Sequence, residues 1–139
     1  MKLVLLLCMF VGYVACAKKL KIPLPAESIA KLVIDAPPCI QETEVSPDIL
    51  LQVREKRQQK DPAVQKFTLC MFKKLGLGDK KGTLVPDKVQ AFCNMAGNEQ
   101  LKNIVEECNK KVGENPSETA SNVMACVQGK VDVNYGSLM

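Results

Sequence analysis

Asp61-Pro62-Ala63-Val64-Gln65-Lys66-Phe67-Thr68-Leu69-Cys70-Met71-Phe72-Lys73-Lys74-Leu75-Gly76 reads as one complete helix carrying a cysteine. Asp61 offers a side-chain oxygen to the first free backbone N–H groups, and Pro62 suits the first helical position, where its missing N–H would have had no partner. Val64, Phe67, Met71 and Leu75 recur at offsets of three, four and four, which draws one apolar stripe down the segment. Gly76 suits the stop. A helix over 62–75 with one buried face follows.

The same punctuation divides the rest of the chain. Ser46-Pro47 and Asn115-Pro116 repeat the pairing of cap and proline, and Glu118 completes a capping box with Asn115. Pro25 and Pro86 open two more helices, while Gly97 and Gly113 suit stops. Helices are expected over 25–35, 46–57, 62–75, 86–96, 98–112 and 116–128. Leu101, Ile104, Val105, Cys108 and Val112 form a stripe, as do Ala120, Val123, Met124 and Val127. Shorter ones are Val89, Phe92 and Cys93, and Ile29, Leu32 and Val33. A period of two is convincing only at Val131, Val133 and Tyr135, so the fold class is all-α, a compact bundle of about six helices.

The opening residues point to a compartment. Lys2, an apolar run from Leu3 to Val14 too short to span a bilayer, and the small residues Ala15-Cys16-Ala17 have the form of a secretory signal, cleaved after Ala17. The run ends abruptly at Lys18-Lys19-Leu20-Lys21. Residues 18–139 are then one secreted, extracellular domain. The formal charge falls from +4 to +3 with the loss of Lys2. Lys73-Lys74 and Lys80-Lys81 lack an arginine cluster and interleaved aromatics, so they read as a solvated turn and not as a nucleic-acid site.

The sequence contains no histidine, which removes the commonest general base, metal ligand and near-neutral pH switch. Cysteine-protease and serine-hydrolase arrangements fail on that ground. Glu42 and Glu44, or Glu106 and Glu107, are acids in charge-rich segments of the kind that face solvent. The cysteines lack the C-x-x-C spacing of a zinc site. No catalytic residue, metal or cofactor is therefore expected.

Five cysteines remain after Cys8 and Cys16 leave with the signal: Cys39, Cys70, Cys93, Cys108 and Cys126. An odd number in a secreted chain means a free thiol or an intermolecular bridge, and spacing leaves the pairing open. The segments Cys39 to Ser46 and Leu69 to Gly82 resemble those around the first and third cysteines of insect odorant-binding proteins. In that family the second cysteine stands four residues before the third, where this chain has Lys66, and the fifth stands nine before the sixth, where it has Ser117. Loss of both partners is the pattern of the minus-C subgroup. The resemblance implies bridges Cys39 to Cys70 and Cys108 to Cys126, with Lys66 facing Ser117 where the third bridge is missing. The chain departs from the pattern at Cys93, read as a buried free thiol, and at Pro37-Pro38, which should kink or split the first helix.

Taken alone, the apolar stripes read as a solid core. The resemblance implies instead an apolar cavity and a soluble carrier of small hydrophobic molecules such as odorants or pheromones, with a membrane odorant receptor as a further partner. A monomer or weak homodimer fits. Ligand contacts are expected from Val53, Phe67, Met71, Phe92, Val105, Val123, Met124 and Val127. Val131, Val133 and Tyr135 are expected to fold back as a lid after a turn at Gly129, the alternative being a frayed end. A hormone or lipid carrier outside olfaction, and a disulfide-stapled interaction module with a solid core, are the other functions open to such a chain.

Overall fold

The structure is a computed structural model that describes residues 19–46, Asp48 and 61–134. Its elements run β1 (Leu20–Pro23), α1 (Ala26–Thr43), α2 (Pro62–Lys74), α3 (Pro86–Phe92), α4 (Glu99–Cys108), α5 (Pro116–Lys130) and β2 (Val131–Asn134). Val53 and the whole helix expected over 46–57, apart from Ser46 and Asp48, lie outside the described residues, as does Tyr135.

Local sequence accounts for the helix starts. Asp61 accepts from the Ala63 N–H at 2.8 Å, Asn98 from Leu101 at 2.9 Å and Asn115 from Glu118 at 2.9 Å, so each cap satisfies an N–H that has no partner inside its helix. α2 closes on a left-handed Gly76. The Gly76 N–H donates to the Lys73 carbonyl and Leu77 to Phe72, while the buried Leu77 and Phe72 form the apolar seal of this stop.

Four boundaries depart from those read in the sequence; α5 runs through Gly129 to Lys130, so the turn expected at Gly129 is absent and the chain leaves the helix at the extended Val131. α1 continues through Pro37 and Pro38 to Thr43 and is not split, ending at a left-handed Glu44. The prolines free the carbonyls of Val33 and Ile34, two residues that are themselves exposed, so water can take up the lost hydrogen bonds. α3 stops at Phe92, because Asn94 turns left-handed at φ 54°. α4 stops at Cys108, where Asn109 turns its amide to the neighbouring loop: it accepts from the Leu84 N–H at 2.9 Å and donates to the Leu84 carbonyl at 2.7 Å.

The all-helical expectation also needs a correction. β1 and β2 form a parallel pair, Leu20 opposite Val131 and Ile22 opposite Val133. Leu20, Ile22 and Leu24 alternate with Lys19, Lys21 and Pro23, a period of two obscured by its place beside the apparent signal.

Two disulfides tie the helices. Cys39–Cys70 joins α1 to α2 with 5.8 Å between α-carbons, and Cys108–Cys126 joins α4 to α5 with 5.5 Å. Cys93 is free and buried. Val105 and Val123, with no exposure, form the packed centre, and Phe72 and Leu101, at most 1% exposed, stand between it and the remaining space inside the helices.

The loop from α2 to α3 is shaped by Asp79, which accepts from the Lys81 N–H at 2.9 Å and from the Thr83 hydroxyl at 3.0 Å. Gly82 (φ +90°) lies so close to the start of α5 that a Cβ there would stand 2.2 Å from the Pro116 carbonyl oxygen. At Gly97 (φ +80°) a Cβ would meet nothing within 4 Å. Gly97→Ala should therefore cost only backbone strain, about 1 kcal/mol, and Gly82→Ala on the order of 3 kcal/mol because the loop must also move. Urea unfolding of the two variants checks this: Gly82→Ala should have clearly the lower midpoint.

Candidate functional site: an apolar cavity

The inward stripe of α2 does not pack solidly against the other helices. Phe67, Met71, Phe72 and Leu75 on that face border a cavity of about 360 Å³. Val89, Phe92 and Cys93 close it from α3 and the turn after it, Met124 and Val127 from α5. Leu32 of α1 and Leu101 of α4 add to the wall. The strand pair contributes Ile22, Val131 and Val133.

No Asp, Glu, Lys or Arg among the described residues lines this space. Its polar groups are few. The Thr68 hydroxyl donates to the Val64 carbonyl at 2.9 Å, four residues back on its own helix. The Cys93 thiol, 7% exposed, is pushed up to about 11 by burial, so it stays protonated near neutral pH and behaves as a small apolar group. Gln128 of α5 is the third polar residue of the lining. Outside the lining, the Ser28 hydroxyl donates to the Phe92 carbonyl and holds the start of α1 against the end of α3. No cluster of metal-ligating side chains is present among the described residues, and the one thiol at the wall is held neutral; chemically the space can exclude water and bury an apolar molecule.

Of the ligand contacts expected from the sequence, Phe67, Met71, Phe92, Met124 and Val127 meet at this cavity. Val105 and Val123 lie instead in the packed centre with no exposure, behind the lining. Their stripes point inward, but the space behind α4 and α5 is closed by packing and by the Cys108–Cys126 bridge. Leu32, Val89 and Leu101, which lie on the stripes legible in the sequence, line the cavity as well. Ile22 and Leu24 were missed, although their alternation with lysine and proline was visible.

Lys66 and Ser117 border a different feature. They share an open groove of about 600 Å³ with Glu42, Glu44, Lys73 and Lys74, on the opposite side of α2 from the cavity. Leu69 and Cys70 line it as well. Its charged, exposed walls are suited to water and unsuited to an apolar guest.

Residues 23–130 match the model of the PBP/GOBP family. The chain is 30% identical over 91 residues to the B1 protein of Tenebrio molitor, a match covering 64% of this chain and 69% of that protein. In fold it is similar to the fatty acid binding protein OBP56a from the oral disk of the blowfly Phormia regina. That likeness has a TM-score of 0.62 and 23% identity, and covers 77% of this chain and 94% of the blowfly chain.

The buried thiol gives a pH-dependent readout. Because the folded chain keeps the Cys93 proton up to about pH 11 while an unfolded thiol loses it near 9.0, this group's contribution to stability is complete below about pH 9 and declines toward pH 11. Urea unfolding at pH 7 and pH 10 should therefore show a larger drop for the parent protein than for Cys93→Val.

Proposed function

This chain belongs to the PBP/GOBP family, and from that premise we propose that it is a secreted soluble carrier that shields small hydrophobic molecules, odorants or pheromones among them, in its internal cavity. The observation that carries the reading is the lining itself: twenty described residues of which only Thr68, Cys93 and Gln128 bring polar side-chain atoms. Removing about 250 Å² of ligand surface from water is worth on the order of 6 kcal/mol before the costs of ordering, and contacts with the close-packed lining add to it. Met71 and Met124 suit the wall to guests of differing shape, since an unbranched thioether repacks at little cost.

Two disulfides fit an oxidising compartment and so support export, with the signal over residues 1–17 as its means. No described helix is long and apolar enough to cross a membrane. Delivery to a membrane receptor is part of the proposal. The blowfly neighbour is named a fatty acid binding protein, so aliphatic chains belong in the first ligand panel beside volatile alcohols and esters. A solid-core interaction module is disfavoured by a cavity of this size.

Phe67, Met71, Phe92, Met124 and Val127 are the proposed contacts, and Val131 and Val133 the proposed cover. Titration with the fluorescent probe N-phenyl-1-naphthylamine tests them. Phe67→Ala and Met124→Ala should shift affinity several-fold with the helical spectrum kept, whereas Val123→Ala should lose about 2 kcal/mol of stability and hold affinity within about two-fold. Equal affinity in all three would place the probe on the surface and sink the assignment. Native mass spectrometry of protein from its source should retain an apolar guest and so identify the ligand class.

A further inference from the structure

Lys73-Lys74, Lys80-Lys81 and Lys110-Lys111 stand apart in the sequence, and the fold brings all three pairs to the start of α5. Asn109 ties the loop after α4 to the loop before α3 through its two hydrogen bonds with Leu84, and Gly82 of that second loop packs against Pro116 and Ala120. Beyond Lys111, the Gly113 N–H donates to the Thr119 hydroxyl at 2.9 Å, which folds the loop after α4 back on the first turns of α5. Lys73 and Lys74, at the end of α2, share the open groove with Ser117.

All six lysines are exposed. The acids on these loops and on the first turn of α5 are Asp79, Glu114 and Glu118, fewer than the cations. Asp79 is turned to its own loop, where it accepts from the Lys81 N–H and the Thr83 hydroxyl. Glu107 lies near Lys110 and Lys111 but is paired with Lys130 at 2.9 Å, while Glu42 and Glu44 share the groove with Lys66 as well as with Lys73 and Lys74. A positive excess remains at this end. Val112 directly follows Lys110-Lys111 and, at 71%, is the most exposed large apolar residue among those described. A single exposed aliphatic side chain is ordinary, but one rimmed by cations has the make-up of a lipid-surface contact.

We propose that this end of the molecule docks on an anionic lipid bilayer: the three lysine pairs meet negatively charged headgroups, and Val112 enters the boundary between headgroups and acyl chains. The lysines supply the attraction, about five-fold in binding for each one close to the surface, and salt screens it. No arginine or aromatic residue stands on these loops to stack on nucleic acid, and an acidic protein would satisfy the lysines without any use for a protruding valine. The docking goes beyond the carrier reading and does not depend on the cavity holding a guest. It gives the carrier a face by which to meet the membrane.

Co-sedimentation with vesicles tests this. The protein should bind phosphatidylcholine vesicles containing about one-third phosphatidylserine about ten-fold or more tightly than phosphatidylcholine alone, and should lose that excess in about 0.5 M salt. Lys110→Glu with Lys111→Glu, and separately Lys80→Glu with Lys81→Glu, should each weaken binding to the anionic vesicles about twenty-fold or more. Lys19→Glu with Lys31→Glu, the same change of charge at exposed positions outside these loops, should keep it within about three-fold. Val112→Thr, which keeps the shape and removes apolar area, should weaken it about three-fold. All of these side chains are exposed, so the helical spectrum of each variant should match that of the parent. Equal binding to neutral and anionic vesicles, an equal loss in the Lys19 and Lys31 variant, or a Val112→Thr variant that binds as the parent does would each overturn the docking. Binding to poly-glutamate without binding to vesicles would overturn it too and assign the patch to an acidic protein.

Discussion

Cross-linking of the helices in pairs is the constraint on which the rest depends. A void of about 360 Å³ left unfilled would cost on the order of 9 kcal/mol at the rate found for cavities left by truncating core side chains. The two bridges close loops with separations of 31 and 18 residues, and the chain-entropy account gives them about 7 kcal/mol together. The two figures are comparable, so the fold can keep a hole that a bundle held by packing alone would close. Fully buried Cys39 and Cys108 sit at the inner ends of these ties, which places the cross-links where the helices would otherwise relax inward.

α2 is where structure and function share residues. One face supplies Phe67, Met71, Phe72 and Leu75 to the cavity; the other carries Lys66, Cys70, Lys73 and Lys74 at the charged groove. The Cys39–Cys70 bridge fastens this helix from its outer side and leaves its inner face free to border the void. A third bridge between positions 66 and 117 would have tied α2 to α5 across that groove. Without one, the contact between these two helices rests on side-chain packing, which adapts to a guest more readily than a covalent tie. Cys93 fits the same design, since burial keeps its thiol neutral and compatible with an apolar lining.

Sequence reading located most of the helical frame because its signals are local. Asp61, Asn98 and Asn115 cap the helices they adjoin, and the prolines at 62, 86 and 116 stand at the first helical turns. It failed where a distant group decides. Pro37 and Pro38 look like breakers from any nearby residue, yet α1 runs on because the freed carbonyls belong to exposed residues. α4 ends early because Asn109 bonds to Leu84, twenty-five residues away. β1 is stabilised only by its pairing with β2 from the far end of the chain, a contact that no local window contains.

By itself, the sequence determined where the helices at 62, 86, 98 and 116 begin, which faces are apolar and that histidine chemistry is absent, since these follow from caps, composition and spacings of three and four. Tertiary structure alone decided which apolar residues border the void and which fill the centre. Val123 and Met124 are neighbours on one stripe, but Val123 has no exposure and stands behind the lining while Met124 stands at the cavity. A stripe gives direction and not depth, because depth depends on how closely the facing helix approaches. Here the approach is limited by two disulfides and by a strand pair drawn from both ends of the chain.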